Sequence, residues 1–254
     1  MYSVKRRSYR NNYGARSVRR VNNRLPNRQF AKASASRRLS YDVPKPIYAR
    51  RSIEDVHNGA NFNLANQTDH TSYVNFPCLG IEGNGGRSFD HIKLFDIKIS
   101  GTINACLGTG DHPMGTSSSF TGIFLITLVL DKKPFVPEGV NTLPTYKELF
   151  GDYECVYASP RLKDNVRHRY RMLTYRKLYI STQENVIQKP FNFRKKISTA
   201  KWPVWASFKD ADMSSSLGNY KNITKNAVLV NCVWVSLCNS KCEVYSQYVM
   251  NYVG

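Results

Sequence analysis

From Ile92 onward the chain reads as short stretches in which apolar and polar residues alternate. Ile92, Leu94, Ile97 and Ile99 alternate with polar neighbours, and a phase slip at Phe95-Asp96 predicts a β-bulge. Phe120 to Leu130 is a continuous apolar run containing β-branched residues, the pattern of a strand covered on both faces, and Asp131-Lys132-Lys133-Pro134 ends it. Trp202–Phe208, Ala227–Leu237 and Val244–Val253 read as further strands, with Cys238-Asn239-Ser240-Lys241-Cys242 as a hairpin turn between the last two. Gly108–Ser119 reads as a polar loop. Residues 52–91, punctuated by Asn58-Gly59 and Gly83-Asn84-Gly85-Gly86, read as loops with one or two edge strands. The one convincing short helix is Thr145–Phe150, closed by Gly151. Many strands, turn signals and no long helix predict an all-β fold, a jelly-roll-like β-sandwich over residues 52–254.

The first 51 residues follow none of these patterns. They hold fifteen Lys or Arg against the single acid Asp42, which is +14 of the chain's net +19. Poor in Leu, Ile and Phe and rich in Arg, Asn and Ser, this segment cannot bury enough apolar surface to offset the entropy of ordering. Residues 1–51 are therefore expected to be a disordered basic arm, with Pro44 and Pro46 near its end. A flexible cation of this kind suits a polyanion, because each neutralised phosphate releases condensed counterions. Lys5, Arg6, Arg7, Arg10, Arg16, Arg50 and Arg51 are its candidate DNA contacts. Arg19-Arg20, spaced from Lys32 and Arg37-Arg38, also fits a two-part nuclear import signal, in which two basic clusters each reach an acidic groove on a carrier. An Arg- and Ser-rich start resembles an organelle transit peptide too. The arm lacks a clear amphipathic period, however, and a cleaved peptide would leave the second basic cluster unexplained.

That cluster runs from Arg161 to Lys201, with twelve Lys or Arg and two acids, Asp164 and Glu184. If Val166 to Ile180 is one strand, Arg167, Arg169 and Arg171 share one face, and His168, Tyr170 and Met172 enter the core from the other. The three arginines are then a folded track for phosphates, extended by Arg194, Lys195 and Lys196. Tyr175, Tyr179, Phe191 and Phe193 lie among these cations. Exposed aromatics can stack on unpaired bases, but here they read as core residues.

Enzyme signatures are missing. No Gly-Lys-Ser/Thr closes a phosphate-binding loop, Gly108-Thr109-Gly110 lacks the rest of a dinucleotide pattern, and no nucleophile elbow occurs. Carboxylates are scattered, which disfavours metal-dependent nuclease chemistry. Cys238 and Cys242 have zinc-ligand spacing, but a second pair is missing, so no cofactor or metal is expected. Six widely spread cysteines suggest a reducing, intracellular setting. No apolar stretch follows Lys5-Arg6-Arg7, so no secretory leader is expected, and the longest apolar run is too short to span a bilayer.

Several short motifs occur together: the basic start, Tyr146-Lys147-Glu148-Leu149-Phe150-Gly151, Leu162-Lys163-Asp164, Trp205-Ala206-Ser207-Phe208-Lys209-Asp210, Asn222-Ile223-Thr224-Lys225-Asn226-Ala227 and the terminal Tyr252-Val253-Gly254. In this order and spacing the chain resembles the nuclear shuttle proteins of bipartite begomoviruses, plant viruses with circular single-stranded DNA, and the resemblance covers nearly its whole length. That resemblance implies a relative of the geminivirus coat protein with a jelly-roll fold. It also implies binding of viral single- and double-stranded DNA, movement into and out of the host nucleus, and transfer to the viral movement protein at the cell periphery. The import signal it implies falls on Val21–Asp42, so that the candidate import residues are Arg19, Arg20, Arg24, Arg28, Lys32, Arg37 and Arg38. A second import segment would span Ile81–Asp96, where only Arg87 and Lys93 are basic. The export signal it implies matches Met172, Leu173, Leu178 and Ile180, followed by Val186-Ile187, residues that equally read as an ordinary buried strand. Further implied partners are host import and export receptors, a host nuclear acetyltransferase contacting a region of about 150–187, host receptor-like kinases and a second copy of the chain. The expected locations are host nucleus, host cytoplasm and cell periphery. The alternatives are a coat protein that uses the same arm to package DNA, and an enzyme, for which no catalytic constellation is found.

Overall fold

Strands early in the chain pair with strands late in it, as if one long hairpin had been rolled up. The structure, a computed structural model, describes residues 50–57, 62–80, 86–108, 119–135, 143–184, 186–210 and 217–254. Among the described residues eleven strands form two antiparallel sheets. They are β1 (Arg50–His57), β2 (Asn63–Ala65), β3 (Thr68–Tyr73), β4 (His91–Leu107), β5 (Phe120–Asp131), β6 (Tyr170–Thr182), β7 (Val186–Lys196), β8 (Val204–Phe208), β9 (Ile223–Lys225), β10 (Ala227–Ser236) and β11 (Ser240–Val253).

The eight main strands pair β1 with β11, β3 with β10, β4 with β7, and β5 with β6. Pairs β11–β4 and β10–β5 then close two sheets of order β1-β11-β4-β7 and β3-β10-β5-β6. This nesting of successive strand pairs is the jelly roll anticipated from sequence. Short β2 continues the β1 edge along β11, while β8 continues the β7 edge along β4 and β9 pairs with β8 on its outer side.

The bulge expected at Phe95 is present. The β11 ladder passes from Asp96 to Leu94 and skips Phe95. The freed Phe95 carbonyl accepts from the amides of Ile197 (2.8 Å) and Ser198 (3.2 Å), which ends β7 and lets β8 take over the same edge of β4. The turn expected at Cys238–Cys242 differs. Strands β10 and β11 belong to opposite sheets, so the Leu237–Asn239 link crosses the sandwich and is no hairpin. Each strand prefers a distant early partner, and adjacency in sequence does not reveal that preference.

Strands β5 and β10 occupy the centre of the second sheet. Every residue of β10 is buried, as is every residue of β5 except Thr121, which matches their continuous apolar runs. One face meets the first sheet, where Phe124 lies 6.0 Å from Phe191 and Ser72 lies 3.4 Å from the Tyr248 hydroxyl. The other face is roofed by residues 143–169. That roof carries the expected helix α1 (Tyr146–Leu149), held by a capping box between Thr145 and Glu148 and ended by Gly151 at φ +109°. Tyr146, Leu149, Phe150 and Val156 plug down from it. Strand β11 is buried at alternate positions, as its sequence indicates. Residues 109–118 of the expected loop and most of the basic arm lie outside the described residues. The sheet itself begins at Arg50, two residues inside the arm as bounded from sequence.

Gly122 and Trp234 show how tightly the sheets fit. A Cβ at Gly122 would stand 2.3 Å from the indole of Trp234, which is fully buried and donates to Ser240 Oγ at 2.9 Å. Replacing Gly122 by Val should displace that ring and lower unfolding stability by about 1–3 kcal/mol, read from the urea midpoint at constant m-value.

Candidate nucleic-acid interface

The cations of the folded body fall into two groups, those neutralised internally and those left facing solvent. Arg87 belongs to the first. Its side chain is fully buried, lies 3.7 Å over the Phe208 ring, and forms a two-armed ion pair with Asp210. Nε donates to the Pro77 carbonyl at 3.0 Å and Nη1 to that of Phe89 at 2.7 Å. These bonds from Arg87 hold the Asp210 carboxyl below its ordinary range, against the opposing effect of burial and with help from Asn222. The second import segment would need Arg87 on the surface, whereas the fold encloses it. Of the same segment, 81–85 lie outside the described residues.

The proposed arginine track is also rearranged. Asp164–Val166 is a 3₁₀ turn, Arg167–Arg169 continue as turns, and β6 starts only at Tyr170. Alternation therefore does not apply across the three arginines. Arg167 pairs with Asp164 at 2.7 Å and donates to the Leu162 carbonyl. Arg169 grips the fully buried Asp131 with Nε (3.1 Å) and Nη2 (2.8 Å), and Nη2 also reaches the Tyr220 hydroxyl (3.2 Å) and the Phe135 carbonyl (3.0 Å). Burial disfavours the charged guanidinium, but Asp131 outweighs it and raises the Arg169 pKa. Burial, with Asp131 and against Arg169, pushes the Tyr170 phenol up to about 12. Arg171 alone of the three is exposed without a hydrogen bond or ion pair among the described residues. His168, expected in the core, is exposed; Tyr170 is buried as expected, and Met172 is half-buried.

A denser positive patch sits on the outer face of the first sheet. Arg194 lies opposite Lys98, and Lys196 lies opposite Asp96. Positions two apart on a strand share a face, so Lys98, Arg194 and Lys196 surround Asp96. All three are exposed, and Asp96 is buried beneath Arg194 (2.7 Å) and Asn251 (2.8 Å). Donating to the Asp96 carboxylate raises the Arg194 pKa. Three cations over one carboxylate leave a net excess of positive charge. Lys195 points the other way and is half-buried. Lys98 was missed from sequence because only the β4–β7 register brings it to Arg194.

Arg50 and Arg51, assigned to the arm, lie in β1 opposite Val253 and Tyr252. Arg51 is half-buried and donates to the Gly86 carbonyl. Lys5, Arg6, Arg7, Arg10 and Arg16, and all the candidate import residues, lie outside the described residues. The aromatics split. Phe191 and Phe193 are buried as expected, Tyr175 is half-buried, and Tyr179 is 63% exposed.

The export candidates lie on β6, the edge strand of the second sheet. Leu178 pairs with Phe124 and Met172 with Val129, five residues apart on β5, so the two side chains leave opposite faces of the sheet. Ile180 is 2% exposed, and Met172, Leu173 and Leu178 are half-buried against the core. Among the described residues no group of three or more His, Cys, Asp or Glu is placed to hold a metal ion. Cys232 and Cys242 are thiols whose burial raises their pKa.

Comparison with known proteins then gives a consistent result. The profile of the Geminivirus coat protein/nuclear export factor BR1 family matches residues 3–254. The nuclear shuttle protein of African cassava mosaic virus (isolate Nigerian) is 38% identical over 260 residues, covering 100% of both chains. That of isolate West Kenyan 844 is 36% identical over 259 residues, again with 100% coverage of both. The nuclear shuttle protein of Squash leaf curl virus is 28% identical over 211 residues, covering 83% of this chain and 82% of its own.

Replacing Asp210 by Asn would leave the fully buried Arg87 charge without its counterion, and should destabilise the fold by about 3–5 kcal/mol. Because the Asp210 pKa is depressed on folding, the pair's stabilisation is complete above about pH 4 and is lost as pH falls through the lowered value. A series of urea midpoints against pH should accordingly show a shallower acid-side loss in Asp210→Asn than in the native chain.

Proposed function

This chain belongs to the Geminivirus coat protein/nuclear export factor BR1 family, and on that premise we propose that it is a viral nuclear shuttle protein. It binds viral single- and double-stranded DNA, enters and leaves the host nucleus with it, and passes it to the viral movement protein at the cell periphery for cell-to-cell spread. The observation that carries this reading is full-length identity of 38% to a nuclear shuttle protein. Charge supports it independently, with +14 of the +19 in the first 51 residues and unpartnered cations on the body. It acts without catalysis. Its work is binding, and its partners are DNA, the movement protein and host import and export receptors. A host nuclear acetyltransferase at about 150–187, host receptor-like kinases and a second copy of the chain complete the proposed set.

In this reading Arg19, Arg20, Arg24, Arg28, Lys32, Arg37 and Arg38 engage the import carrier. The remaining arm cations, with Lys98, Arg171 and Lys196 of the body, contact phosphates. Arg169 and Arg194 drop out, since their guanidinium groups are committed to Asp131 and Asp96. The export segment requires β6 to leave the sheet edge, because its apolar side chains point to opposite faces while the strand is paired. The family description also covers coat proteins, and the fold is a jelly roll, so packaging of the genome is the competing reading. Assembly decides between them: a capsid subunit forms closed particles with the DNA, and a shuttle does not.

Two measurements test the proposal. Tagged protein in plant cells should be nuclear when expressed alone and should move to the periphery when the movement protein is co-expressed; nuclear retention with particles visible by electron microscopy would favour packaging. In vitro, log affinity for DNA should fall linearly with log salt. Replacing Lys98 and Lys196 by Ala should flatten that slope by about 0.9 for each duplex phosphate that is no longer neutralised, whereas Arg169→Ala should lower stability before it changes the slope.

A further inference from the structure

A second surface differs in kind from the phosphate patches. Tyr157, Ala158, Ser159, Tyr175, Arg176, Lys177 and Tyr179 line a cleft of about 590 Å³. One wall is β6. Tyr175, Lys177 and Tyr179 alternate along it and so share a face, with the outer two rings about 13 Å apart along the strand. The other wall is the stretch of the roof segment that directly follows the 3₁₀ turn Tyr153–Val156. Tyr157 is 51% exposed and Tyr179 63%, so both rings are open to solvent, whereas Tyr146, Tyr220, Tyr248 and Tyr252 plug the core. The walls are fixed. Lys177 Nζ spans them, donating to the carbonyls of Tyr157 (3.2 Å) and Ala158, and the Tyr175 hydroxyl lies 3.3 Å from Ser159 Oγ. Lys189 Nζ ties down the Tyr179 carbonyl at 2.6 Å.

The charge of the cleft is one-sided. Arg176 and Lys177 line it, and no Asp or Glu does among the described residues. The Lys177 and Lys189 ammonium groups bond to neutral carbonyls, so their charge is not cancelled. Exposed, Arg176 has neither a hydrogen bond nor an ion pair among the described residues. Tyrosine rings over cations match a ligand that is flat and apolar at one end and anionic at the other.

We propose that the cleft between β6 and Tyr157–Ser159 binds unpaired nucleotides, stacking bases on Tyr157, Tyr175 and Tyr179 while Lys177, on the same strand face, and Arg176, at the rim of this edge strand, take the phosphates. This rests on the DNA-binding reading above and adds to it the form of DNA that this surface selects. A duplex buries the faces of its bases in its own stack and offers nothing to the rings, whereas a single strand offers each base face in turn. The arm and the Lys98 patch would then supply affinity shared by all forms of DNA, and the cleft would supply preference for single strands.

The test uses the full chain and three labelled probes of equal length: oligo-dT, an abasic strand with the same phosphates, and a duplex. The variants are Tyr157→Leu/Tyr179→Leu and, with a single replacement of the more exposed ring, Tyr179→Leu. In the double variant oligo-dT affinity should fall roughly tenfold for each base that loses its stack, with the abasic and duplex affinities and all three salt slopes unchanged. The single variant should lose part of this. If oligo-dT and abasic affinities fall together, or neither changes in variants with native melting temperatures, the cleft does not stack bases and the inference is overturned. Native protein that binds none of the three probes would instead overturn the DNA-binding reading itself.

Discussion

A strand that is apolar on both faces must be covered twice, and the design of this molecule follows from that demand. Strands β5 and β10 lie at the centre of the second sheet with nearly every residue buried. The first sheet covers one face. The other would present Leu125, Thr127, Val129 and Val233 to water without residues 143–169. This roof is fastened at a polar point within the apolar surface. The Asp69 carboxylate on β3 accepts from the Tyr146 amide (2.7 Å), the Tyr153 hydroxyl (2.7 Å) and Asn231 Nδ2 (3.2 Å). Thr71 reaches the Pro144 carbonyl at 2.7 Å. Asp69 is half-buried, and hydrogen bonds replace the water it has lost. Three donors, from the helix, the 3₁₀ turn Tyr153–Val156 and β10, do so here, and they fix where the roof sits. The cleft at β6 is a consequence, because the stretch of roof after that turn lies against the sheet edge.

Counting charge in sequence and counting it on the surface give different answers for the same reason. The basic run from Arg161 to Lys201 contains arginines whose charges are answered by aspartates, two of them from distant strands: Asp131 for Arg169 and Asp96 for Arg194. Arg87 and Asp210 form a third long-range pair. Each of these arginines makes a forked contact with its carboxylate, a geometry that suits guanidinium and that lysine cannot reproduce. The lysines and Arg171 and Arg176 remain for solvent or ligand. The body is therefore positive in patches, and the strongest of these is created by strand register and not by a run of sequence.

How much could be read in advance follows the range of the interaction involved. Local signals were legible. The apolar run of β5, the alternation of β11, the capping box at Thr145 and Glu148 and the slip at Phe95 all express contacts within a few residues or a single face. The jelly roll was legible as a class, since strand number and the lack of long helices exclude most alternatives. Long-range choices were not. Cys238–Cys242 has the composition of a hairpin turn, yet β11 pairs with β1 and β4, whose residues lie far away in sequence. The alternating Arg167, Arg169 and Arg171 imitate a strand face, and only Asp131, 38 residues earlier, reveals that Arg169 turns inward. Tyr175 and Tyr179 were read as core because a strand's two faces look alike in sequence when the strand lies at a sheet edge.

The proposed export role and the proposed cleft set β6, an edge strand, two demands that oppose each other. As an export signal its apolar residues must be presented together, and Leu178 and Ile180 can be presented only if the strand detaches from β5. As one wall of the cleft it must stay in place, because Tyr175, Lys177 and Tyr179 meet Tyr157–Ser159 only while β6 is paired. A ligand that binds the closed cleft and not the open form lowers the open population by the factor 1 + [L]/Kd. Cargo held in the cleft would therefore suppress exposure of Leu178 and Ile180. The Met172 and Leu173 end escapes this conflict. It lies beyond the cleft, at the register shift opposite Leu128 and Val129, where β6 is already irregular and both side chains are half-buried. Under both proposals, a chain that left the nucleus with its cleft filled would have to be recognised from that end of the strand, or from surfaces outside β6 altogether.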